Sequence, residues 1–181
     1  VLSCGGSAEL RAVQKVFSDR FGVDHRVIEE WRLYTTGSVI WGLRDAPHLD
    51  TALAALRVER TGLPLLRRAG KHWKPTTVAL QVLGAYLERS RIELTRAELE
   101  TLLASGGLRG TRPGIEPGYV ALSGPDGVVG CAIYLAPDPD GGHPDGVLLS
   151  QLPKARWEGL IRQAQQASGD SPNPAEGETI S

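Results

Sequence analysis

Residues 70–77 read GKHWKPTT, with Lys71, His72, Trp73 and Lys74 in succession and Arg67 and Arg68 just before them. Lysine and arginine attract phosphate whatever the base sequence, and an indole beside them offers a face on which an unpaired base can stack. Pro75 suits the first turn of a helix, where its missing N–H is no loss, so the spacing predicts a helix N-terminus directly after the cations. Such an end adds N–H donors and a dipole favourable to a phosphate. Arg109 and Arg112, flanking a later loop, extend the basic set. The competing reading packs Trp73 into a core and leaves only the cations outside. From the residues alone both readings stand.

Other chemistry is poorly represented. A phosphate-binding P-loop needs four residues between its glycines and Ser or Thr after the lysine; here seven separate Gly62 from Gly70, and His72 follows Lys71. Asp138, Asp140 and Asp145 lack the spacing of a calcium loop, and prolines at 137, 139 and 144 make that stretch a turn-rich connection. The G-x-S-x-G, H-E-x-x-H and G-x-G-x-x-G patterns are absent. His25, His48 and His143 have no visible partners in the pattern. Cys4 and Cys131 stand far apart without metal-ligand spacing, as in a chain from a reducing compartment. No catalytic residue, metal or cofactor is therefore expected.

The elements that must position the basic segment follow from periodicity. Ser7 is placed to cap a helix carrying Leu10, Val13 and Phe17, which runs to Phe21 and stops at Gly22. RLYTTG and SVIWGL read as a hairpin, Asp50 as the cap of a short helix through Leu53 and Leu56, and LPLLRR as a buried strand. After Pro75, Val78, Val82, Leu83 and Tyr86 recur at helical spacing. RIEL reads as a strand, and Thr95 with Glu98 as a capping box opening a helix with Leu99, Leu102 and Leu103 on one face, stopped by Gly106 and Gly107.

From there glycine and proline are dense, and short β-runs GYVALS and VVGCAIYL are separated by PDG, the texture of a small β-barrel with Tyr119 in its core. A final strand and an amphipathic helix through Trp157, Leu160, Ile161 and Ala164 close the pattern, and the residues after Ser168 read as a disordered tail. The expectation is an α+β chain with an α/β domain over 1–89, a barrel domain over 90–167 and a tail over 168–181.

The 181 residues carry a net charge of −1, but residues 57–112 hold 11 basic and 5 acidic side chains while residues 113–181 hold 3 and 9. A middle third at +6 beside a final third at −6 is a usual footprint of polyanion binding, although both can also be ordinary solvated surface. No run of 18 apolar residues occurs and the N-terminus lacks the layout of a signal peptide, so no membrane association and a cytoplasmic location are expected. The lack of methionine, position 1 included, implies a removed initiator or an excerpt from a longer chain.

The runs GLPLLRRAGKHWKPTTVALQVLG, ELTRAELETLLASGGL, EPGYVALSGPDGVVGCAIYL and LPKARW, in that order, resemble the C-terminal half of the Sun/Fmu family of RNA cytosine-5 methyltransferases. The likeness is greatest to short stand-alone relatives associated with ribosome biogenesis. It covers roughly residues 20–157 and implies a pre-PUA α/β domain followed by a PUA-like mixed barrel. By that resemblance Lys74 and Pro75 match the family's KP, Gly106 its turn glycine, Gly118 and Tyr119 a barrel strand, and Gly130 a second strand. Pro153, Lys154 and Arg156 match its closing basic element.

PUA domains bind structured RNA, so the resemblance implies a ribosomal or transfer RNA partner, with a ribosome-assembly or RNA-modifying protein as a further one. The family's cofactor site and catalytic cysteines belong to an upstream domain that these motifs do not include, so the implied role is not enzymatic. The expected site is a cleft with Arg67, Arg68, Lys71 and Lys74 on one wall and Lys154 and Arg156 on the other, where His72 or Trp73 stacks on a base. Two alternatives remain: the RNA-targeting region of a larger methyltransferase, and a protein-interaction adaptor in ribosome assembly.

Overall fold

A computed structural model describes residues 3–56, 58 and 60–152. Among these residues the fold is mixed α+β, with two five-stranded sheets and five α-helices. All elements up to Gln151 belong to one compact unit. The expected C-terminal helix and tail, and with them Pro153, Lys154 and Arg156, lie outside the described residues.

The first sheet sets β1 (Ser3–Cys4), β2 (Trp31–Thr36), β3 (Val39–Arg44), β4 (Leu63–Ala69) and β5 (His72–Pro75) side by side in chain order, each antiparallel to the next. The β2–β3 hairpin stands where the β-branched and aromatic runs predict it. One side of the sheet is covered by α1 (Ser7–Gln14), its π-helical continuation Lys15–Arg20 and α2 (His25–Glu29), which bring fully buried Val13, Phe17 and Phe21 into the core. Gly6, not Ser7, holds the cap position of α1, its N–H bonded to Glu9 at 2.8 Å. The short α2, which periodicity does not reveal, is capped by Asp24, whose carboxylate accepts the Arg26 N–H at 2.9 Å.

Asp50 is not the cap of α3 (Leu49–Ala55); it lies inside the helix, and its carboxylate meets Arg32 at 2.6 Å. His48 takes the cap position with a left-handed φ of 63°.

The second sheet has the order β6 (Arg91–Glu93), β8 (Gly118–Gly124), β9 (Gly127–Leu135), β10 (Val147–Ser150) and β7 (Gly107–Arg109). Its pairings are antiparallel except β6 with β8. No pairing among the described residues joins β6 to β7, so the strands expected to make a barrel form an open sheet here. Helix α5 (Arg96–Ser105) buries Leu102 and Leu103 and opens with the predicted capping box, Thr95 N–H to Glu98 at 2.9 Å and Glu98 N–H to Thr95 Oγ1 at 3.2 Å. Gly106, at φ 78°, ends it in the conformation that glycine adopts without penalty.

Between the sheets runs α4 (Thr77–Val82), packed against β4 on one side and β9 on the other. It turns Ala79 and Leu80 inward, and Leu83 follows; all three share a core with Leu65 and Leu66 of β4, Ala121 of β8 and Cys131 of β9. Of the residues expected on its buried face Leu83 is inside, but Val78, Val82 and Tyr86 are 37%, 53% and 50% exposed. The small Ala79, Ala121 and Cys131 let the helix approach both sheets, a requirement that hydrophobic periodicity does not register. Tyr119 likewise departs from expectation, half-buried against this shared core, whereas Tyr134 is the buried aromatic of the second sheet's cluster.

Leu80→Ala is expected to destabilise the chain by about 2–5 kcal/mol in urea unfolding, because a fully buried side chain at the junction leaves a cavity that neither sheet can close. At the α5 cap the Thr95 backbone N–H, and after it Arg112, hold the Glu98 carboxyl below its usual range. A depressed folded pKa means that this stabilisation is fully present above the unfolded pKa and is lost as pH falls through the folded one. Screened by solvent at this partly exposed site, the lost charge is expected to make Glu98→Gln cost about 0.5 kcal/mol at pH 7. The gap from the parent chain should close as unfolding is measured below about pH 4.

Candidate functional site

The basic segment folds as the β4–β5 hairpin. Its register pairs Leu66 with Pro75, Arg67 with Lys74, Arg68 with Trp73 and Ala69 with His72, closed by Gly70 and Lys71. Gly70 has φ 59°, which a two-residue hairpin turn needs at its first central position. Pro75 is thus the last residue of a strand rather than the first of a helix. Thr76 donates its N–H to the Leu65 carbonyl at 3.0 Å, so by alternation the N–H that proline lacks would point away from β4. Thr76 is the cap of α4, its Oγ1 accepting the Ala79 N–H at 3.1 Å and donating to the Pro64 carbonyl.

Pairing in register also sorts the side chains. Directly paired residues share a face and successive pairs alternate, so Arg67, Lys74 and His72 lie on one face of the hairpin and Arg68 and Trp73 on the other, with Lys71 at the tip. Arg67, Arg68, Lys71 and His72 are exposed, and Lys74 is half-buried. Arg67, Lys71 and His72 make no side-chain hydrogen bond or ion pair with a described residue. Arg68 sets its Cζ over the Trp73 ring, 4.9 Å from the centroid. Trp73 is half-buried against the shared core, with the Arg68 guanidinium over its ring.

Lys74 is engaged differently. Its ammonium donates to the Gln151 carbonyl at 3.3 Å and to Gln151 Oε1 at 3.1 Å, joining the hairpin to the end of β10. Its charge also reaches Cys131, lowering that thiol slightly against the burial that pushes it up to about 12. Gln151 is a partner that the sequence did not reveal, since 77 residues separate it from Lys74.

Of the other expected site residues, Arg109 ends β7 and Arg112 follows in the loop after it, while Lys154 and Arg156 lie outside the described residues. Arg109 is exposed at the end of β7, paired in register with Val147. Arg112 is half-buried and committed to structure: its guanidinium meets Glu98 at 3.0 Å and its backbone N–H donates to the Tyr134 hydroxyl at 3.0 Å.

Two hollows accompany these elements. One of about 590 Å³, lined by Arg32, Asp45, Pro47, His48 and Asp50, is dominated by Arg32 bridging Asp45 at 2.8 Å and Asp50 at 2.6 Å. Those contacts, the Asp50 hydrogen bond foremost, raise the Arg32 pKa and lower that of Asp50. A smaller one of about 280 Å³ is lined by Arg20, Arg89 and Arg91 together with Asp19, Glu88 and Glu116. There Arg20 donates to the Tyr119 carbonyl at 2.9 Å, and burial lowers its pKa. No group of three or more metal-ligating side chains occurs among the described residues, and no described helix is long and apolar enough to cross a membrane.

No family model matches this chain, and a comparison with curated proteins finds no significant match.

Burial separates the two thiols sharply, since Cys131 has no solvent exposure and Cys4 is exposed. Iodoacetamide is expected to label Cys4 in the folded protein and Cys131 only on unfolding, read by peptide mass spectrometry. Equal labelling rates would mean that the core beside Lys74 is open.

Proposed function

We propose that this chain is a non-catalytic RNA-binding protein that recognises structured ribosomal or transfer RNA in the cytoplasm, in ribosome biogenesis or RNA modification. In this reading the first sheet with its helices is a pre-PUA-type domain, the second sheet supplies the strands of a PUA-like barrel, and the β4–β5 hairpin is the principal contact. The observation that carries it is the hairpin's uncommitted charge. Elsewhere Arg20, Arg32, Arg44, Arg91 and Arg112 each meet a carboxylate within 4.0 Å, whereas Arg67, Arg68 and Lys71 crowd one hairpin without any described carboxylate partner. Like charges gathered without counter-charges raise the local potential, and a polyanion relieves it.

Phosphate contacts then dominate affinity. Arg67 and Lys71 are the principal contributors, because Lys74 already directs its donors at Gln151. A protein-interaction role is the second reading, favoured by the exposed Val78, Val82 and Tyr86 stripe that follows the hairpin.

Fluorescence anisotropy against labelled ribosomal and transfer RNA fragments across a salt series separates these readings. Saturable binding is expected, weakening steeply with salt, and the Arg67→Glu, Lys71→Glu double variant should bind less tightly with a log–log salt slope smaller by about two. Binding no stronger than that of an unrelated acidic protein, or a flat salt response, would discard the RNA reading in favour of the second.

A further inference from the structure

An indole that stacks on a base must present a free face, and Trp73 has little left to present. Part of its surface packs on the shared core, and Arg68 Cζ stands 4.9 Å from the ring centroid. Resting on the proposed RNA-binding function, we infer that Arg68, backed by Trp73, is the residue that takes an unpaired base, and that the RNA this hairpin selects is single-stranded where it makes contact.

Three features carry the inference. The Arg68 and Trp73 backbones are directly paired in the ladder, so their side chains emerge on the same face and the guanidinium is held over the ring by register. Arg68 has no carboxylate partner among the described residues, so its donors are uncommitted while its position is constrained. β5 is an edge strand of the sheet, and among the described residues no further strand stands beside it at the hairpin's end.

A guanidinium is planar, permanently charged and weakly hydrated, so it stacks on a base with one side while its other side rests on an aromatic ring. Because Trp73 has already restricted the long side chain, less freedom remains to be lost on binding. A lysine at the same place would keep the charge and lose the plane. Paired RNA keeps its base faces inside the helix and offers such a group only phosphate and ribose. The hairpin therefore discriminates between strand and duplex through Arg68, while Arg67 and Lys71 attract both.

The test compares the parent chain with Arg68→Lys on three probes: a single-stranded oligoadenylate, an RNA duplex of the same length, and inorganic polyphosphate in competition. The parent chain is expected to prefer the strand to the duplex. Arg68→Lys should lose about tenfold in affinity for the strand while binding duplex and polyphosphate as before. Unchanged binding of the strand would overturn the inference, and an equal loss on all three probes would reduce Arg68 to a point charge and overturn it as well. If the parent chain binds none of the RNAs, the RNA-binding reading itself falls, an outcome distinct from either of these.

Discussion

The packing of α4 against two sheets at once is the constraint on which the rest of the molecule depends. Six residues of helix are too few to hold themselves together in water, so α4 exists because Ala79, Leu80 and the following Leu83 find apolar surface on both sides. That burial fixes the position of Thr76, whose side chain caps the helix and also reaches back to the Pro64 carbonyl. The strand immediately before it can then lie only along β4. The hairpin with the cations is thus anchored at its base by the same contacts that unite the sheets, while its tip extends past the last buried pair, Leu66 and Pro75.

Charge is distributed by a related logic. Where arginines help assemble the chain they are met by carboxylates or carbonyls from distant segments: Arg20 reaches Tyr119 and Glu116, and Arg112 reaches Glu98. Ionic contacts of this kind confer little stability when exposed, yet they orient neighbouring segments when partly buried. At the hairpin tip nothing of the sort occurs among the described residues. Lys74 marks the transition, since it belongs to the basic run by sequence and to the structural group by its bonds to Gln151. A basic run is therefore not a uniform surface, and its members divide according to how far each stands from the core.

Much of the fold was legible in the sequence where the signal is local. The β2–β3 hairpin, the strand at LPLLRR and the Thr95–Glu98 box depend on neighbours a few residues away, and each stands where the pattern places it. Misplacements occurred where a distant partner decides. Asp50 is drawn from a capping role by Arg32, 18 residues earlier in the chain. Pro75 fits a helix start in isolation, but only the pairing of β5 with β4 makes a strand end available to it. The buried face of α4 was read only in part, since Leu83 is inside as the spacing placed it, but Ala79 and Leu80 face the two sheets where Val78 and Val82 were expected. Of the site, the cluster of cations was visible and its division between two faces was not, because that division depends on strand register.

The first sheet also has two edges to protect, and both are blunted. At one side the described β1 has two residues, a short template for a neighbour. At the other, the four-residue β5 carries His72 and Lys74 and ends in a proline without an N–H to offer. The Lys74 charge and a missing donor along this edge disfavour pairing with the next copy of the same chain, so the strand that carries part of the basic segment also guards against sheet-to-sheet aggregation. Neutralising Lys74 would leave the protein more prone to self-association, a solubility role for this strand that holds whatever the hairpin binds.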